Sequence, residues 1–213
     1  MTMTAFILRC LKRTRLDLIG LLVGACFVWS MPILARADSP LTEISQLKFE
    51  RVGESILLSA TVKFELSAAI EEALQKGVPM IFVAQVEVFR ERWYWTNKKV
   101  LSAERHMRLA YQPLTRRWRL NAASGMITRA GLGVTLNQNF ETLADALGVV
   151  QRLAGWKIAD TSELESDQNY YAEFRFRLDV SQLPRLFQIG TLGQADWNID
   201  ALVKQPLMLE TGR

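Results

Sequence analysis

Histidine and cysteine carry much of the general-base, nucleophilic and metal-ligating chemistry of proteins, and this chain has little of either. It has one histidine, His106, and two cysteines, Cys10 and Cys26. His106 stands between Glu104 and Arg108 with no second ligand-type residue at metal spacing, so it reads as an exposed structural histidine. No motif supports a serine triad built around it. Asp160, Glu163, Glu165 and Asp167 could offer oxygens to calcium, but they lack the glycine turn and ligand order of an EF-hand loop. A solvated acidic loop is the simpler reading. Gly131-Leu132-Gly133 lacks the third glycine and following helix of a dinucleotide fingerprint. The sequence therefore nominates no catalytic, cofactor-binding or metal-binding residue. A carboxylate-dependent hydrolase stays open as a third-ranked reading, because sequence does not give the separation of two carboxylates.

Recognition is the chemistry with more support. Arg90, Arg92, Trp93, Tyr94, Trp95 and Arg105 lie close together in sequence, and arginine and aromatic side chains most often anchor interfaces. The first functional reading is a protein-interaction surface at this site. Against it stands the plainer view that Trp93 and Trp95 close a hydrophobic core. The alternative function is a binder of an anionic small molecule, lipid head group or glycan at Arg90, Arg92 and Arg105. There the plainer view is that the chain's own carboxylates neutralise these arginines.

These residues sit on a stretch, Ile81 to Leu120, that reads as three antiparallel strands. Asn97-Lys98 is the expected first turn, and pairing Trp95 with Val100 sets Val88 opposite Met107, Val86 opposite Leu109 and Ala84 opposite Tyr111. A second turn at Gln112–Thr115, with proline at a favoured position, brings Leu109 against Trp118 and Met107 against Leu120. Three strands then share one dry face. The other face, with Gln85, Glu87, His106, Arg108, Arg117 and Arg119, reads as water-facing. Near the first turn the pattern inverts: Phe89, Trp93 and Trp95 fall on the wet face, and Arg90, Arg92 and Arg105 on the dry one. This register puts Arg90 opposite Arg105, a repulsive arrangement unless something neutralises it. Either a bulge rotates the strand between Val88 and Trp93 or the strand passes from one sheet to another, and both place a bend near Arg90.

Residues 1–37 read as an export signal, with Arg9, Lys12, Arg13 and Arg15 before the apolar run Leu18–Leu34 and small residues at Ala35-Arg36-Ala37. Cleavage is expected before Asp38. The alternative is an uncleaved inner-membrane anchor through residues 18–34, near the lower length limit for a span; lipidation at Cys26 ranks lower, because the apolar run continues past it. The full chain has 26 basic and 22 acidic residues. The leader takes five of the former and one of the latter, leaving 21 of each and no cysteine in residues 38–213. Arginines interleaved with aromatics can form a stacking groove for nucleic acid, but export and a neutral mature charge argue against that partner. Charge is still uneven: residues 90–129 hold ten Arg or Lys against Glu91 and Glu104.

In the rest of the chain, Gln46–Arg51 and Ile56–Leu66 read as a hairpin around Gly53-Glu54. Ser67 caps a helix over Ala68–Lys76 that stops at Gly77. Asn121–Asn139 reads as loose, and Glu141–Leu153 as an amphipathic helix ended by Gly155-Trp156. Tyr170–Val180 is the clearest strand. Phe187–Arg213 reads as mostly irregular, anchored by Trp197. The expected fold is mainly β (α+β): one domain over 38–213, an antiparallel β-sandwich or strongly curled sheet of six or seven strands with two short helices. A plain sheet with both helices on one side is the alternative.

Several of these stretches together resemble the bacterial domain-of-unknown-function family 4390. They are Phe64-Glu65-Leu66-Ser67, Ala73 to Pro79, Arg92-Trp93-Tyr94-Trp95, Arg108 to Tyr111, Phe140 to Leu143, Leu178 to Pro184 and Asp196-Trp197. The resemblance covers roughly Leu47 to Trp197; the glycine-rich Ser124–Val134 and the tail after Asp200 depart from it. It implies an exported, periplasmic proteobacterial protein with no established activity or cofactor. It also implies a partner among envelope or inner-membrane proteins, a membrane sensor histidine kinase being the one suggested by gene neighbourhood. Contact with the membrane itself is expected only through the N-terminal segment if that stays uncleaved.

Overall fold

In a computed structural model the described residues are 42–92, 97–124, 135–165, 168–184 and 197–211. They belong to one compact unit, Pro40–Arg213. Residues 1–41 with both cysteines, and Trp93, Tyr94 and Trp95, lie outside the described residues.

Ten strands and two helices occur among them: β1 (Thr42–Val52), β2 (Ser55–Phe64), α1 (Ala68–Gln75), β3 (Met80–Arg90), β4 (Lys98–Gln112), β5 (Arg117–Ser124), β6 (Thr135–Phe140), α2 (Leu143–Gln151), β7 (Arg152–Asp160), β8 (Tyr170–Leu178), β9 (Asp200–Pro206) and β10 (Leu209–Thr211). They form a four-stranded sheet in the order β10-β1-β2-β7 and a six-stranded sheet in the order β6-β5-β4-β3-β8-β9. Every pairing is antiparallel except β1 with β10.

The two sheets face each other as a sandwich because each presents an alternating apolar face. Ile56, Leu58, Ala60, Val62 and Phe64 of β2 and Ala172, Phe174, Phe176 and Leu178 of β8 are buried in one continuous core. Phe64 closes the gap between sheets, its ring 5.5 Å from Phe82 and 5.4 Å from Phe176. Ser67 Oγ accepts from the Ile70 amide at 3.3 Å, and Gly77 takes a φ of 82° where α1 ends.

Ten strands exceed the six or seven expected. The stretch 121–139, read as loose, holds the end of β5 and most of β6, and the C-terminal stretch read as irregular holds β9 and β10. Leu153, Gly155 and Trp156 lie within β7, so α2 stops at Gln151 and they do not belong to its end. Arg152, at the helix boundary, is already in extended conformation and pairs with Thr61 of β2.

Candidate interaction site at the β3–β4 hairpin

The ladder between β3 and β4 shifts by one residue between Val88↔Leu101 and Phe89↔Lys99. The extra residue, Val100, is on β4, so the bulge bends β4, whereas β3 runs in unbroken register with β8 from Phe82 to Arg90; the rotation expected in β3 after Val88 is not seen as far as Arg90. The register differs from the expected one. Val88 lies opposite Leu101 where Met107 was expected, and Arg90 opposite Lys98 where Arg105 was expected. Up to Val88 the slip is six residues, an even number, so those side chains keep their expected faces; beyond the bulge it is seven, and Lys98 and Lys99 exchange faces. Its cause is a longer connection: Arg90 pairs with Lys98, leaving seven residues between the strands where two were expected. The second hairpin slips by two in the same way, with Tyr111 opposite Trp118 and Arg116 in the turn at φ 51°.

The base of the first hairpin is braced from β8 and the acidic segment before it. Arg90 Nη1 lies 2.9 Å from Glu165 Oε2, with only 18% of the arginine side chain exposed. The Glu165 amide donates to Tyr170 Oη at 3.0 Å, and Tyr170 is the cross-strand neighbour of Arg90. Phe89 stacks on Tyr171 with ring centroids 5.1 Å apart. Asn97 Nδ2 donates to Tyr171 Oη at 3.2 Å, and Asn97 Oδ1 accepts from the Arg92 amide at 3.4 Å. The Glu91 amide donates to the Asn169 carbonyl at 3.0 Å. Beyond this frame Arg92 and Lys98 are exposed, and neither makes an ion pair among the described residues.

The remaining candidate among the described residues, Arg105, lies apart. Arg105 lies opposite Ala84, six residues along β3 from Arg90, which is about 20 Å of strand. It points into the sandwich, half-buried, with its ζ carbon 5.4 Å from the centroid of the Trp156 ring on β7. Desolvation there pushes its pKa below the ordinary arginine range. No hydrogen bond or ion pair to it is formed among the described residues. The acidic segment is largely taken up internally: Glu163 accepts from the Asp160 amide at 3.0 Å, and Asp160 meets Lys157 at 2.7 Å. Asp167 lies outside the described residues.

His106 is not exposed. It is 4% accessible on the outward face of the six-stranded sheet, between Val83 and Ala123, both buried as well. Its Nε2 lies 3.3 Å from Glu104 Oε2, and its Nδ1 is buried without a partner. Ile81 and Val83 were the available signal, being apolar on the side of β3 that strand alternation assigns to water.

A feature missed from sequence is a shallow depression of about 140 Å³ on the same outward face, lined by Gln85, Glu87, Glu173, Arg175 and Leu202. Its charges are paired: Lys99 Nζ with Glu87 at 3.1 Å, Lys204 Nζ with Glu173 at 2.6 Å, and Arg175 with Asp200. Three of its five lining residues come from β8 and β9, and β9 was not visible as a strand.

A model of one protein family, a domain of unknown function (DUF4390), matches residues 39–205. The chain belongs to this family. The DUF4390 match runs from ahead of β1 into β9, so it takes in the glycine-rich stretch and the first five residues after Asp200. No curated protein and no solved structure matches the chain.

Proposed function

We infer that this chain is a non-catalytic protein of the cell envelope that binds a partner protein through the tip of the β3–β4 hairpin. The observation that carries the reading is the braced hairpin base with exposed cations beyond it. Arg90, Phe89 and Asn97 are each tied to β8 or to the segment before it, so both strands are braced where they lead into residues 93–96. Arg92 and Lys98 then flank the sequence Trp93-Tyr94-Trp95, the residue types that concentrate binding energy. Two exposed cations fit an acidic partner surface, which would be met quickly and in a defined orientation. The partner class we favour is an inner-membrane sensor protein, with the chain delivered to the periplasm by residues 1–37 or held at the membrane through residues 18–34.

The non-catalytic part of the reading is supported by how the acid–base groups are used. His106 is buried against Glu104, and Glu87 and Glu173 are each bound to a lysine. The anionic-ligand reading has less support: Arg90 holds Glu165 and Arg105 lies about 20 Å further along the strands, which leaves Arg92 alone of the three.

The test is crosslinking in intact cells followed by mass spectrometry, comparing the native chain with an Arg92→Ala, Trp93→Ala variant whose fold is verified by circular dichroism and thermal melting. The reading expects one envelope protein captured by the native chain and lost with the variant. Capture that ignores the substitutions, or no capture, would remove the hairpin as an interface.

A further inference from the structure

Sheet edges are where unpaired backbone groups invite another strand, and proteins guard them with charge, proline, bulges or short length. Among the described residues, three of the four edges carry such guards. β9 has Asp200, Lys204 and a terminal Pro206. β7 has Arg152, Lys157 and Asp160, and its pairing with β2 is broken twice by register shifts. β10 is three residues long and carries Glu210. The fourth edge, β6, has none of these devices. Its sequence is Thr135-Leu-Asn-Gln-Asn-Phe140, without a charge, a proline or an irregularity in its pairing with β5. Leu136, Asn137, Gln138 and Asn139 are exposed, Leu136 at 59%. Beyond the β5 ladder, no hydrogen bond involves residues 135–140 among the described residues.

We propose that β6 is a self-association edge, at which a second copy of this chain pairs antiparallel about a two-fold axis through Gln138. The sequence is self-complementary in that register. Leu136, Gln138 and Phe140 share the face that carries Trp118 and Leu120 of β5, and Asn137 and Asn139 share the other. An axis at Gln138 puts Leu136 opposite Phe140 of the second copy, Asn137 opposite Asn139, and Gln138 opposite itself. Apolar meets apolar and amide meets amide, and no like charges face each other. A two-fold interface requires this kind of self-matching, and a charged edge strand could not supply it. The two six-stranded sheets would then run on as one. A single strand pair covers less than the roughly 1,200 Å² typical of stable complexes, so the dimer is concentration-dependent rather than permanent.

The experiment uses the full chain, with Cys10→Ser and Cys26→Ser so that added cysteines are the only thiols. Mass photometry and sedimentation across a micromolar range should show a monomer–dimer equilibrium. Gln138→Lys, which sets two ammonium groups against each other at the axis, should weaken it by about tenfold or more without lowering the melting temperature. Under a short bis-maleimide, Gln138→Cys should crosslink to a dimer. Asn137→Cys and Asn139→Cys should crosslink with each other when co-expressed and poorly alone, and Leu114→Cys, on the distant β4–β5 turn, should not crosslink. A chain that stays monomeric throughout, a dimer indifferent to Gln138→Lys, or equal crosslinking at 137, 138 and 139 would overturn the proposal. Because β6 is not part of the β3–β4 hairpin, loss of partner capture by the Arg92 and Trp93 variant leaves this outcome independent.

Discussion

Arg105 on β4 lies over the indole of Trp156 on β7, its ζ carbon 5.4 Å from the ring centroid, so a cation from one sheet covers the aromatic core of the other. Trp156 is 2% exposed, whereas Arg105 is half-buried and has no carboxylate against it among the described residues. The pair therefore sets a cation–π attraction and the packing of the arginine stem against a desolvation cost.

These opposing effects are of similar size, so Arg105→Met, which keeps the stem and removes the charge, should change stability by no more than about 1 kcal/mol. Arg105→Glu replaces the attraction with a carboxylate facing the ring and should lower the melting temperature clearly. Trp156→Ala should cost about 3–5 kcal/mol, the range for a fully buried large aromatic. Chemical denaturation of the three variants checks the order, and a Met variant as damaged as the Ala one would show that the guanidinium has a partner of another kind.

Asp179 contributes to the acid side of the stability profile. Burial acts to raise its pKa, but hydrogen bonds from Ser181 and Gln182 and the charge of Arg177 outweigh that and hold the carboxyl below the usual aspartate range. Its oxygens accept from the Ser181 amide at 3.1 Å and from Gln182 Nε2 at 2.8 Å. A lowered folded value means that the carboxylate stabilises the fold above the unfolded aspartate pKa of about 3.9 and loses that effect as pH falls through the folded value. Asp179→Asn should be less stable than the native chain at pH 7, with the gap closing below about pH 4. Melts at pH 7, 5 and 3 measure it; a gap that persists undiminished at pH 3 would assign the effect to packing.

His106 is buried with one ring nitrogen unpaired, an arrangement in which an apolar replacement costs little. His106→Leu should stay within about 1 kcal/mol of the native stability in urea unfolding. A loss above about 2 kcal/mol would show that Nδ1 is bonded in solution to something that the leucine cannot replace.

Periodicity read the faces of these strands well, because side-chain alternation survives an even slip in register. Val86, Val88, Leu109, Trp118 and Leu120 are all buried, as their pattern implied. The register itself depended on a turn, and the turn depended on contacts remote in sequence: Phe89 on Tyr171 and Arg90 on Glu165 hold β3 to β8 and end it at Arg90. No local signal carries that information. β6 and β9 escaped notice for a related reason. Asn137, Gln138 and Asn139 have weak strand preference, and they are extended because β5 offers a ladder to pair with. Within the candidate site, neutralisation of the arginines by the chain's own carboxylates was an expectation of the sequence, but that Glu165 would take Arg90 was not legible. The burial of His106 was half legible, in Ile81 and Val83 on the nominally wet face.

Glu87 and Glu173 face each other directly across β3 and β8, where two like charges destabilise a sheet. Each is answered from its other side, Glu87 by Lys99 on β4 and Glu173 by Lys204 on β9, so four strands share one alternating row of charge. Gln85 Nε2 adds a hydrogen bond to Glu87 at 3.1 Å. The lysines therefore matter for the repulsion they screen more than for the attraction of each pair. Lys204 holds its proton more tightly than usual, chiefly through the hydrogen bond to Glu173. Removing both lysines as Lys99→Ala, Lys204→Ala should lower the melting temperature by more than the sum of the single changes, since the second loss leaves the two carboxylates unscreened. Adding Glu87→Gln to that double variant should restore most of the loss, and 1 M salt should do the same by screening. Melting curves for the native chain and the four variants at low and high salt decide the matter: additive lysine effects with no rescue by Glu87→Gln would mean that the two carboxylates do not interact.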